Sequence, residues 1–270
     1  MKKHFSTILL VTVFIVGLSL LLYPTVSNYW NAKRQSYMIA DYSEQVRGLD
    51  EDHYREMRQA VTEYNRVLND RKNSFLLDDD LMQRYQHLLD IGGTGIMGYI
   101  VIPSIDVSLP IYHGVDEGVL QVAVGHLEWS SLPGGGPDTH CVLSGHRGLP
   151  TAKLFTHLDK LQEGDLFMMQ ILDQVLTYEV DQILIVEPNQ VSSLLPQEGQ
   201  DLCTLVTCTP YGVNSHRLLV RGHRVESQNT ENIAVTGDAI QIDPTLVAPA
   251  LALPILLILL IVLMLPKRKR

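Results

Sequence analysis

The sequence predicts an all-β closed barrel of about eight short strands, preceded by helices and held outside a membrane between two apolar segments. Three observations predict it. From residue 91 onward the chain is rich in β-branched residues, with turn residues recurring at roughly the spacing of short strands. The strand candidates are short, and one internal helix, near residues 152–157, interrupts them, which favours a closed barrel over a doubly wound sheet. Uncharged apolar runs stand at both ends, and a soluble domain has no place for them.

The first run covers residues 5–23, after Lys2 and Lys3. The second covers residues 247–265 and is closed by Lys267, Arg268, Lys269 and Arg270. Each is long enough to cross about 30 Å of hydrocarbon as a helix. The basic residues lie on the terminal sides of both runs, so the positive-inside rule puts both termini in the cytoplasm and the body outside, a two-pass arrangement at the cell membrane. The first run also has the charged start and apolar middle of a signal peptide, but no small-x-small cleavage site follows Leu22, Tyr23 and Pro24, so retention is expected.

Setting aside the six basic residues at the two ends leaves 15 Lys and Arg against 30 Asp and Glu, a formal charge of −15. That balance excludes a nucleic-acid surface, which needs a basic stripe. Three cysteines, Cys141, Cys203 and Cys208, are too few for a disulfide scaffold, and no Cys/His spacing suggests structural zinc. No metal or other cofactor is implied. One unpaired thiol outside the cell invites a functional reading, while Cys141 and Cys203 read as buried small hydrophobes.

In chain order, residues 1–24 form the cytoplasmic tip and first membrane helix. Residues 25–90 form an extracytoplasmic helical and lid segment. There the chain continues outward from the membrane, Asp50 or Asp52 caps a second helix, and Asp78 to Asp80 start a third. Residues 69–77 between those helices read as a loop able to fold back. Residues 91–225 form the barrel, with strands expected at 98–102, 107–112, 121–125, 140–146, 166–171, 175–185, 202–208 and 216–223. Residues 226–246 are a linker, and residues 247–270 are the second membrane helix with its basic tail.

The chemistry is densest at the last two strands. Thr204, Leu205, Val206, Thr207 and Cys208 form a strand that ends on a thiol, and Thr209 and Pro210 stop it. The next strand opens with Arg217. If the two strands are antiparallel neighbours, Cys208 faces Arg217 across one end of the ladder, a nucleophile beside a cation that can hold an oxyanion. A guanidinium makes no general base, so a histidine is needed. His146 ends another apolar strand before a Gly/Pro loop and is the best candidate from spacing. His126 is the strongest rival, His216 should point to the opposite face from Arg217, and His113, His140, His157 and His223 read as structural or surface groups.

Together these residues resemble the sortases, and more narrowly the class C, pilus-assembling sortases of Gram-positive bacteria. Thr204 to Cys208 matches the family's TLxTC nucleophile motif, continued by residues 214–222. Residues 143–150 and 152–155 match its catalytic-histidine region, and residues 95–100 and 111–114 resemble its opening strands. The resemblance covers about residues 90–225. It implies the eight-stranded sortase barrel, with Cys208 as nucleophile, His146 as acid and base, and Arg217 as oxyanion or substrate stabiliser. It also implies cleavage of an LPxTG-like signal between Thr and Gly, and transfer of the acyl group to a pilin lysine.

Two other readings stand beside pilus assembly: attachment of surface proteins to a peptidoglycan amine, and a non-catalytic pilin-binding scaffold. One departure stands out. Members with a lid carry an Asp-Pro-aromatic motif upstream of the barrel, and residues 69–80 here hold no proline. Asp70, Phe75 and Asp78 are the candidate lid residues, the carboxylates to approach Arg217 and the ring to cap an apolar groove.

Overall fold

The computed structural model describes residues 2–71 and 75–226. The linker and second apolar run, at residues 226–270, lie outside the described residues from 227 onward, as do residues 72–74 of the candidate lid. A single helix, α1 (Lys2–Arg47), carries the N-terminal apolar run past Pro24 and straight on to the body. Helix α2 (Glu51–Asp70) starts at Asp50, whose carboxylate accepts from His53 N at 2.9 Å. Helix α3 (Asp79–His87) starts at Asp78, which accepts from Leu81 N at 2.9 Å. Both are short acidic side chains satisfying amide hydrogens that a first helical turn leaves without partners.

Eight strands follow: β1 (Ile96–Ile102), β2 (Val107–His113), β3 (Val124–His126), β4 (Thr139–Ser144), β5 (Leu166–Ile171), β6 (Gln174–Val186), β7 (Asp201–Thr209) and β8 (His216–Val225). They close into a barrel in the order β1-β2-β3-β4-β7-β8-β6-β5. Closure leaves no edge strand open. Two pairings are parallel, β2 with β3 and β4 with β7, and the others are antiparallel. A four-residue helix, α4 (Glu117–Leu120), makes the crossover into β3.

Residues 152–157 are not the expected helix. They are a series of turns leading to a short 3-10 turn at Leu158–Lys160. Phe155 N donates back to His146 O at 3.1 Å, and Leu154 has a φ of 37°. The Phe155 ring lies so close to Gly145 that a β-carbon there would sit 2.7 Å from it. Long-range packing of that ring overrides the local helical pattern.

Strand alternation sorts β4, β7 and β8 into two faces. Cys141, Leu143, Cys203, Leu205, Leu218 and Val220 point into the barrel and join its main core. Val142, Val206 and Leu219 point outward and form a second cluster with Leu194, edged by Leu127, Trp129, Leu184 and Val186. The helices seal other parts of the wall. Tyr64 of α2 and Tyr85 of α3 are fully buried, and Asn65 clamps Leu132 by donating to its O at 2.9 Å and accepting from its N at 2.8 Å. Tyr42 of α1 donates to Met97 O at 2.8 Å and accepts from Leu172 N at 2.9 Å.

Candidate active site

Cys208 and Arg217 are direct register partners across the antiparallel β7–β8 ladder, near its end. The parallel β4–β7 pairing brings the histidine. Ser144 pairs with Val206, Gly145 N donates to Val206 O at 3.0 Å, and Thr207 Oγ1 donates to Gly145 O at 2.8 Å. β4 ends at Ser144, and these bonds to Gly145 lead the chain into His146 on the side of β7 away from β8, toward the end that carries Cys208. β7 therefore stands between the other two partners, with Arg217 on one side and His146 on the other. All three residues are half-buried.

The loops around them are tied down. Arg217 Nη1 donates to Asn214 O at 3.2 Å and His216 O at 3.1 Å, so its own loop aims the guanidinium. Among the described residues it has no carboxylate partner. Arg147, beside the histidine, donates to Thr209 Oγ1 at 3.2 Å and pairs with Asp159 at 2.7 Å, linking the two loops. Gly148 has a φ of 80°, and a β-carbon there would lie 2.9 Å from the Tyr211 ring. The two loops therefore touch at a point where only glycine fits without strain. Sequence reasoning missed Arg147; its place between His146 and Gly148 was the one available signal.

The rival histidines lie elsewhere. His126 is fully buried, its ring bonded to Ser131 O at 2.9 Å, Ser130 Oγ at 3.2 Å and Tyr85 OH at 3.1 Å. His140 bridges Leu195 O at 3.0 Å and Thr204 Oγ1 at 2.7 Å, and burial pushes its imidazole down to about 4. His113 holds Gly95 O and Leu88 O, and burial lowers it too. Each is a structural group whose ring nitrogens are already engaged.

From Cys208 the outer apolar cluster runs back along β7 as a strip through Val206, Leu219, Val142 and Leu194, with Trp129 at its edge. Phe75 packs edge-on against Trp129, ring centroids 5.0 Å apart. That contact places one candidate lid residue at the margin of the strip. The carboxylates are used differently. Asp70 pairs with Arg66 at 3.3 Å, and Asp78 caps α3 and pairs with Arg71 at 3.4 Å. Trp129 went unnoticed in the sequence, where a tryptophan in a Gly/Pro-rich stretch carries no distinctive spacing.

A thiol, an imidazole and a guanidinium at one rim, beside an apolar strip, are the parts an acyl-transfer site needs. Among the described residues no cluster of three or more His, Cys, Asp or Glu is arranged to hold a metal.

Comparison with known proteins bears on the same region. A family model described as "Sortase domain" matches residues 100–225. Sortase C1 from Streptococcus agalactiae superposes with a TM-score of 0.69 at 49% identity, covering 71% of this chain and 99% of that one. A Clostridium perfringens sortase C solved with the C-terminal cell wall sorting motif gives 0.63 at 40% identity, covering 71% and 99%. Among curated proteins, sortase SrtE1 of Streptomyces coelicolor is 31% identical over 144 residues, covering 47% of this chain and 40% of that protein. The chain spans less than half the length of the first curated relatives it matches.

Proposed function

The chain belongs to the sortase family and groups with its class C, pilin-type members, and from that premise we propose that it is a membrane-bound cysteine transpeptidase that joins pilin subunits. Cys208 passes its proton to His146, and its Sγ attacks the carbonyl of Thr in an LPxTG-like signal. Arg217 holds the negative charge that develops on the carbonyl oxygen, and His146 protonates the leaving Gly amine. The thioester on Cys208 is then attacked by a lysine amine of another subunit. His146 takes the proton that this amine sheds, and the thiolate leaves as a new amide forms.

The observation that supports this reading is the flanking of β7 by Arg217 on β8 and by the end of β4, so that the residues proposed as charge stabiliser and proton carrier approach one thiol from opposite sides. The apolar strip beside it suits the Leu and Pro of the signal. A Clostridium perfringens relative was solved with the C-terminal cell wall sorting motif, which supports a sorting-signal substrate. The roles of Cys208, His146 and Arg217 rest on their placement and on the family's motif. Phe75 against Trp129 supports a partial lid over the strip, one held by ring contact rather than by a carboxylate on Arg217.

The apolar start of α1 supports anchoring in the membrane, with the barrel outside. A second crossing at residues 247–265 completes the proposed two-pass topology. The domain limits proposed from the sequence, 1–24, 25–90, 91–225, 226–246 and 247–270, go with it.

The test is incubation of the full chain in detergent with an LPxTG peptide and a lysine-bearing pilin peptide, followed by mass analysis. A cross-linked product and a peptide thioester on Cys208 are expected. Product formed only with a peptidoglycan-type amine would shift the reading to wall anchoring, and neither product nor adduct would favour the pilin-binding scaffold.

A further inference from the structure

Helix α1 does more than lead to the barrel, because its membrane-side end is bonded to the loop that carries the candidate histidine. Asn31 Nδ2 donates to Thr151 O at 2.7 Å, and Ser27 Oγ donates to the same oxygen at 3.4 Å. Thr151 lies in the turn that leaves His146 and returns at Phe155, whose N donates to His146 O. Farther from the membrane the helix keeps its grip on the wall. Gln35 Nε2 donates to Val122 O at 2.6 Å, and Tyr42 sits between Met97 O and Leu172 N. The barrel is therefore fixed along the helix by four side chains on one face, with the His146 loop at the end nearest the bilayer.

The helix sets a height for that loop. Uncharged residues 5–23 rise about 30 Å at 1.5 Å each, which matches the hydrocarbon thickness. Ser27 and Asn31 then stand about 6 and 12 Å beyond its edge, at the level of lipid headgroups. Tyr23, Tyr29 and Trp30 are exposed around this stretch, in the composition of an interfacial aromatic belt, and Lys33 and Arg34 follow.

The rim itself is dressed for the same level. Tyr211 is 61% exposed and Val213 69% exposed, on the loop that touches Gly148. Pro150 is exposed beside Thr151, and Lys153 and Lys160 are exposed in the same loop region. Apolar tips with lysines beside them suit an anionic lipid surface and sit oddly in an otherwise acidic external body.

We propose that the catalytic rim, through Tyr211, Val213 and Pro150, rests on the anionic outer surface of the bilayer that α1 crosses, so that the thiol works at headgroup height. This rests on the membrane-anchoring reading given above. The consequence is selective access: a sorting signal whose chain continues into the membrane reaches Cys208 without leaving the surface, whereas a freely soluble peptide approaches from the side.

The test uses the full chain, with Cys208→Ala to remove the reactive thiol, reconstituted in phosphatidylcholine vesicles with and without phosphatidylglycerol. Single cysteines replace Val213, Gln197 and Tyr23 in turn, each labelled with a nitrobenzoxadiazole fluorophore and challenged with nitroxide-bearing lipids. Gln197 precedes β7 and lies at the opposite end of the barrel from Cys208. Quenching at 213 by headgroup nitroxide should exceed that at 197 by about twofold or more, and should strengthen with phosphatidylglycerol. Quenching at 23 by acyl-chain nitroxide, with none at 213, overturns the rim contact while leaving the anchor intact. No quenching at 23 overturns both. Stronger quenching at 197 than at 213 reverses the orientation and overturns the proposal.

Discussion

The two faces of the β4–β7 wall hold the same kind of atom and put it to opposite uses. On the inner face Cys141 and Cys203 are register partners, 3% and 0% exposed, packed among leucines and Met169. On the outer face of the same strand, Cys208 is half-buried at the rim beside Arg217. An odd spacing along β7 sends Cys203 and Cys208 to opposite sides. Position relative to the strand end does the rest: a central thiol is core, and a terminal one is partly open to solvent.

The outer face repeats the lesson with histidine. At its far end His140 is fully buried and bonded on both nitrogens, to Leu195 O and Thr204 Oγ1. At its near end His146 stands half-buried at the loop. The strip between the two ends is continuous, so what separates structure from chemistry is which end is covered.

The sharpest way to break the contrast is Cys208→Ala. Transpeptidation measured as kcat/KM should fall by at least about 10³-fold, because no other group supplies the covalent route, whereas Cys203→Ala should retain turnover while lowering Tm. Alkylation compares the faces without mutation. Iodoacetamide followed by peptide mapping should modify Cys208 in the native protein, with Cys141 and Cys203 about 10³-fold slower until denaturant is added. Equal rates at all three would erase the distinction between faces.

Arg217→Lys keeps the charge and loses the planar fork. It should lower kcat about 10²-fold with little change in KM, since the lost interaction belongs to the developing oxyanion. A rise in KM alone would make Arg217 a substrate-binding group instead.

Acid stability probes the covered end. The folded state holds His140 near 4 while the unfolded chain binds a proton below about 6.5, so this contribution is intact above pH 6.5 and is lost as pH falls toward 4. The loss reaches up to about 3 kcal/mol. Melting scans from pH 7 to 4 should show Tm falling through this window, less steeply in His140→Gln; identical slopes would remove His140 as the cause. The smallest effect expected is at the lid margin. Phe75→Ala should speed Cys208 alkylation about threefold, and an unchanged rate would show that the Trp129 contact restrains nothing at the thiol.

Much of this was legible in the sequence for a physical reason. Cys208 and Arg217 lie on consecutive strands joined by a short loop, so local pattern fixes their meeting. Strands are expected at 166–171 and 202–208 from short apolar runs bounded by turn residues, and the structure has strands there, with β7 one residue longer at each end. What stayed hidden depended on contacts between distant segments. The ties from Ser27 and Asn31 to Thr151, the Phe75–Trp129 pair and the collapse of residues 152–157 onto Gly145 all involve partners that no local period announces. His146 falls between these cases. Its spacing predicts the last position of a strand, whereas β4 stops at Ser144 and His146 lies two residues beyond, in the loop that the parallel β4–β7 pairing leads toward the Cys208 end of β7.

The most direct measurement is intact-mass and peptide-level analysis of the full chain quenched during turnover with an LPxTG peptide. A thioester-linked acyl group on Cys208 is expected, cleared by a lysine amine and accumulating when that amine is withheld. An acyl group carried on any other residue, or undiminished product from Cys208→Ala, contradicts it.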